Sequence, residues 1–139
     1  MMPAMHQPPT IDDAARRSGV VWVDLGRGPQ VAWHLWHDGA LWLVCGGREQ
    51  DLPGSGTAER AVVSIRSKQT QNDVVARFEA QVSRVEPGSK AWTSVVPLLH
   101  EKRLNPPDGE AQPDRWARES LVLRLSPTQP RLTGRSPVS

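Results

Sequence analysis

Tyrosine is absent from this 139-residue sequence, and phenylalanine and cysteine occur once each. A lone cysteine, Cys45, allows no intramolecular disulfide and no multi-cysteine metal site. That usage fits a reducing compartment, and a cytoplasmic location is expected. No uninterrupted apolar run reaches the roughly eighteen residues that a membrane-spanning helix needs. The stretch from Met1 to Gly19 carries Pro3, Pro8, Pro9, Asp12, Asp13, Arg16 and Arg17, so it lacks the apolar centre of a signal peptide. Charge of one sign is scarce: the net charge is +2, and the arginines are scattered among acids. This reads as a solvated mixed-charge surface rather than a nucleic-acid footprint. His34 and His37 point to opposite faces of a strand and cannot share an ion. His6 and His100 lie elsewhere, and no metal site is expected. No Gly-Lys-Ser/Thr follows the glycine-rich loop, and no Gly-x-Ser-x-Gly elbow is present.

What the chain does have is six tryptophans, four of them (Trp22, Trp33, Trp36 and Trp42) inside apolar strand patterns. Residues 1–19 read as a flexible lead-in, with a short helix over Ile11 to Arg17 capped by Thr10. Val20 to Leu25 predicts a strand, Val31 to His37 a second and Ala40 to Cys45 a third. Asp38-Gly39 between the last two is the preferred dipeptide for a type I′ turn. That turn sets His37 opposite Ala40, Leu35 opposite Trp42 and Trp33 opposite Val44. One face then carries Ala32, His34, Trp36, Leu41, Leu43 and Cys45, and the other carries Trp33, Leu35, Trp42 and Val44. Both faces are apolar, so both need cover: a barrel interior on one side, and a helix, a cofactor or a second subunit on the other. A 139-residue chain with one long helix leaves a second subunit as the favoured cover.

Gly46 to Gly56 reads as a loop, with a short helical piece near Thr57 to Arg60. Ala61 to Lys68 predicts a fourth strand, and Val74 to Val85 a fifth with Ala76, Phe78, Ala80 and Val82 inward. If Gln69 opposes Val74, then Arg66 opposes Arg77, and an anion or Glu79 must sit between the two like charges. Ser89 caps a helix reaching about Arg103, with Pro97 kinking it. Asp114 to Glu119 forms one turn carrying Trp116, and Leu121 to Leu125 is the sixth strand. The expected architecture is mainly β with one or two helices, a six-stranded antiparallel split β-barrel over residues 20–126. Residues 127–139 read as a disordered tail.

The Trp-rich hairpin Val31 to Cys45, the segment Gly46-Gly47-Arg48-Glu49-Gln50, the strand ending Arg66-Ser67-Lys68 and the helix Ala91 to Arg103 resemble the flavin-binding split-barrel proteins. This is the pyridoxamine-5′-phosphate-oxidase-like superfamily, in particular its small actinobacterial-type members. The resemblance covers roughly residues 18–127. It implies a homodimer that binds FMN, or the related deazaflavin, at the subunit interface. It also implies an oxidoreductase in which the cofactor carries the hydride. The residues it points to for the cofactor are His34, Gly46, Gly47, Arg48, Gln50, Arg66, Lys68, Trp116 and Arg118. Arg48, Arg66 and Lys68 would meet the phosphate, and Trp116 or His34 would border the ring. The usual Ser/Thr and Lys of the phosphate stretch are missing, and Glu49 and Asp51 add negative charge. Those departures favour an alternative: a non-catalytic dimeric binding or scaffold protein with a degenerate cofactor site. Cys45 reads as a buried structural residue.

Overall fold

A computed structural model describes residues 14–16, 20–47, 49–66, 74–102 and 111–128. Among the described residues there are seven strands: β1 (Val20–Asp24), β2 (Pro29–Trp33), β3 (Leu35–His37), β4 (Ala40–Cys45), β5 (Arg60–Arg66), β6 (Val74–Arg84) and β7 (Leu121–Pro127). Two helices follow β6, α1 (Lys90–Lys102) and α2 (Gln112–Glu119). Residues 14–16 form a further helical turn; the rest of the helix expected over Ile11 to Arg17, with its Thr10 cap, lies outside the described residues. The strands form a single sheet in the order β2-β1-β5-β6-β7-β4-β3, with every neighbouring pair antiparallel.

The edges of this sheet explain its curvature. Its two outermost strands, β2 and β3, are consecutive in the chain with only His34 between them. A flat sheet cannot have its opposite edges one residue apart, so the sheet curls into a split barrel. The single strand expected over Val31 to His37 is therefore two, which raises the strand count from six to seven. Trp33 pairs with Val20 on β1 rather than with Val44. The turn itself is as expected. Asp38 and Gly39 have φ of 54° and 71°, and Leu35 faces Trp42 while His37 faces Ala40.

Alternation sorts each strand into two faces. Val21, Val23, Ala32, Leu41, Leu43, Val63, Phe78 and Leu125 fill the barrel interior, joined by Ala14 and Ala15 from the helical turn. Ala40, Trp42, Val44 and Val122 point outward and are sealed by Val95, Val96 and Leu99 of α1 and Trp116 of α2. Every residue of β4 is buried within this one chain. The chain's own helices thus supply the cover for the hairpin's second face, and that face does not call for a second subunit.

Helix α1 starts where Ser89 Oγ accepts the Trp92 N–H at 3.2 Å. Pro97 is exposed on its solvent side, so the Thr93 carbonyl it leaves unbonded faces water. Helix α2 spans eight residues, longer than the single turn expected. No helix forms over Thr57 to Arg60, where turns lead into β5. Strand β7 extends past the expected end at Leu125, because Ser126 and Pro127 pair with Gln81 and Ala80.

Candidate functional site

The segment after β4 was the expected phosphate stretch, and the structure shows what its groups do. Gly46 and Gly47 have φ of 81° and 63°, which turns the chain sharply. The Gly46 N–H donates to Gln50 O at 2.9 Å, and Gly46 O accepts both the Glu49 N–H and the Ser120 hydroxyl at 3.0 Å. A Cβ on Gly47 would stand 3.0 Å from Glu119 O, so this turn is packed directly against the α2–β7 junction. Arg48 lies outside the described residues.

Glu49 is the residue that locks the turn in place. Its side chain is fully buried, and Oε2 accepts from Arg115 Nη2 at 3.1 Å and from the Trp116 indole N–H at 3.0 Å. Trp116 is itself completely buried, with its ring 6.5 Å from that of Trp33. A buried carboxylate holds its charge only when paired and hydrogen-bonded, and this one is both. In the sequence Glu49 shows only as added negative charge, and Arg115 carries no local signal. The two lie 66 positions apart, and neither follows an apolar period that would have linked them.

Gln50 fills the split between β2 and β4. Its Oε1 accepts the Trp33 N–H at 2.9 Å, and its Nε2 donates to Trp33 O at 3.1 Å and Val44 O at 3.0 Å. The side-chain amide thus stands in for a missing strand segment where β2 has parted from the β3–β4 hairpin. His34, the residue at the parting, is wholly buried. Its Nε2–H donates to Ala15 O at 3.0 Å, and its Nδ1 meets no partner among the described residues. Burial, more than the Ala15 bond or the Lys102 charge, sets its pKa, which falls from 6.5 to about 4. Cys45 is also fully buried, and burial pushes its thiol pKa up. Arg84 braces the neighbouring loop by donating to Ser55 O at 2.8 Å and Ala58 O at 2.9 Å.

Arg66 lies on another part of the molecule. A shift in the β5–β6 register between Ile65 and Arg66 sets Arg66 opposite Val74, while Ser64 faces Arg77. The expected Arg66–Arg77 pairing is therefore absent, and the argument for an anion between them falls. The Arg66 guanidinium lies 4.3 Å from the centre of the Trp22 ring, a cation–π contact. Lys68 lies outside the described residues, and Arg118 is exposed on α2. Among the described residues, the outward face of β1, β2 and β5 around Trp22 carries no helix of the kind that covers β4. Val20 and Val31 there are each 48% exposed. At the far end of this face a cavity of about 240 Å³ is lined by Asp24, Gly26, Arg60, Ala61, Val62 and Glu79. The expected site residues that are described therefore do not converge: His34 lies in the barrel interior, Gly46, Gly47, Gln50 and Trp116 at the closed turn, Arg66 on the outer face and Arg118 on the exposed side of α2. Among the described residues no group of three or more His, Cys, Asp or Glu side chains could hold a metal ion. No described helix is long and apolar enough to cross a membrane.

The fold has counterparts among solved structures. The conserved hypothetical protein Rv2991 of Mycobacterium tuberculosis superposes with a TM-score of 0.61 at 17% identity, covering 100% of this chain and 92% of its own. HutZ, the heme storage protein of Vibrio cholerae, gives 0.57 at 16%, covering 86% of this chain and 88% of its own. A putative pyridoxamine 5′-phosphate oxidase of Listeria innocua gives 0.53 at 15%, covering 88% of this chain and 94% of its own. The fold is that of the split-barrel, pyridoxamine-5′-phosphate-oxidase-like proteins. No protein-family model and no curated protein matches the sequence.

Proposed function

We propose that this chain is a non-catalytic split-barrel binding protein, dimeric through its outer face, whose flavin-phosphate turn is closed from within. One observation carries the reading: the Glu49 carboxylate is buried beneath the turn, held by Arg115 and Trp116. A phosphate at Gly46-Gly47 would meet a fixed negative charge close by. It would also find the Gly46 N–H already donating to Gln50 O. Gln50 itself is committed to three backbone groups. His34 and Trp116 are both fully buried, which keeps their rings from a ligand on the surface. Dimerisation draws support from the exposed Val20 and Val31 beside the half-buried Trp22, an apolar patch on a sheet face.

The fold class also keeps FMN or deazaflavin binding open as a second reading, and one observation favours it. Arg66 stacked on Trp22 offers a cation and a ring plane side by side on the uncovered face. Arg66, with Lys68 and an Arg118 contributed across a dimer, would then hold the phosphate in place of the closed turn. Spectroscopy separates the two readings. The binding-protein reading expects purified protein with no visible absorbance, no fluorescence change on titration with FMN or deazaflavin, and a solution mass of twice the chain. Saturable quenching abolished by Arg66→Ala would establish the second reading and overturn the first.

A further inference from the structure

The outward face of β1, β2, β5 and β6 sorts its charges into two neighbouring rows. Antiparallel pairing sets Pro29, Asp24, Val62 and Glu79 side by side across the four strands. Two residues along, it sets Val31, Trp22, Ser64 and Arg77 side by side. The first row is acidic, and its Asp24, Val62 and Glu79 line the cavity at the end of this face. One Asp24 carboxylate oxygen accepts the Gly26 and Gly28 N–H groups, which fixes that acid in place. The second row is basic: Arg77 ends it, and the Arg66 guanidinium lies over its Trp22 ring. Apolar groups share both rows, with Val31 and Val62 exposed and Trp22 half-buried.

A second copy stacked on this face is related by a two-fold axis lying between the two sheets. Sheets packed face to face align their strands to within about 30°, which leaves two directions for that axis. An axis along the strands preserves the rows, so acid meets acid and base meets base. An axis across the strands, between the two rows, exchanges them. Glu79 then faces the partner's Arg77, and Asp24 faces the partner's Trp22 with the partner's Arg66 over its ring. Pro29 faces the partner's Val31. Arg60 shares facing rows with the partner's Arg66, whose guanidinium is drawn away over Trp22. Facing like charges are unfavourable and opposite charges fix register, so the charge pattern selects the second axis.

We propose that this face binds a second copy of the chain about a two-fold axis crossing β5 between Val62 and Ser64. Each β5 runs antiparallel to its counterpart, and the acidic row of each copy lies on the basic row of the other. The inference rests on the dimeric reading above and adds the orientation and the charge pairs to it. Sedimentation equilibrium of the full chain tests it. Arg77→Glu and Glu79→Arg, both at exposed positions, are each expected to raise the dimer dissociation constant by about tenfold or more. They move the net charge in opposite directions, so a general charge effect cannot weaken both. The double variant, Arg77→Glu with Glu79→Arg, exchanges the two charges and is expected to return the constant to within about threefold of the wild type. A dimer that the single variants do not weaken, or that the double variant does not restore, overturns the row exchange and leaves the dimer reading standing. A wild-type chain that sediments as a monomer at micromolar concentration overturns both.

Discussion

Gln50 and His34 show how much of this fold depends on single side chains at the split. Gln50 bonds three backbone groups that no strand reaches, so Gln50→Leu should cost about 2–3 kcal/mol in denaturant unfolding. Gln50→Glu should be nearly as damaging, because a carboxylate cannot donate to the Trp33 and Val44 carbonyls. His34 ties the helical turn at residues 14–16 to the barrel and does so as a neutral imidazole. Its folded pKa of about 4 lies below the usual histidine value of 6.5, so the unfolded chain binds the extra proton between those values. Stability is therefore expected to fall as pH drops from 6.5 toward 4 and to stop responding to this group below that. The full contribution is about 3 kcal/mol. Chemical denaturation across that range checks it, with His34→Leu expected to flatten the slope. At Gly54, φ is +93° and an added Cβ would lie 2.7 Å from Leu25 O, so Gly54→Ala should cost about 2–3 kcal/mol.

At the scale of elements, the turn after β4 and helix α2 hold each other. Removing one partner from the Glu49–Arg115 pair strips the other of its buried counter-charge. Glu49→Ala is expected to destabilise by about 3–5 kcal/mol and to loosen α2. Replacing both residues with Leu and Met should recover much of that loss, which a double-mutant cycle measures. The strands themselves were legible in the sequence, because apolar alternation and the Asp38-Gly39 turn encode them locally. The break at His34 was not: Val31 to His37 reads as one unbroken strand, and a histidine inside such a run does not mark the residue at which pairing changes partner. The bulge at Arg66 escaped for a similar reason, since face alternation on β5 and β6 sets register only up to a two-residue slip. The Glu49 cluster depends on a contact between residues far apart in the chain, which a local reading does not contain.

At the scale of the whole molecule, the two-faced hairpin leads to a different conclusion from the one its sequence invites. Its outward face is covered by α1 and α2, so the proposed dimer surface is the face of β1, β2 and β5 instead. That face has the exposed valines, the Trp22–Arg66 contact and the carboxylate-lined cavity. The turn that the fold class leads one to expect at a flavin phosphate is instead packed against α2. The most direct test is a fluorescence titration of FMN and of deazaflavin with wild-type protein and with Arg48→Ala. A closed turn gives no saturable binding with either protein. One flavin per chain, lost on substituting Arg48, would show that the turn holds phosphate and would contradict the account.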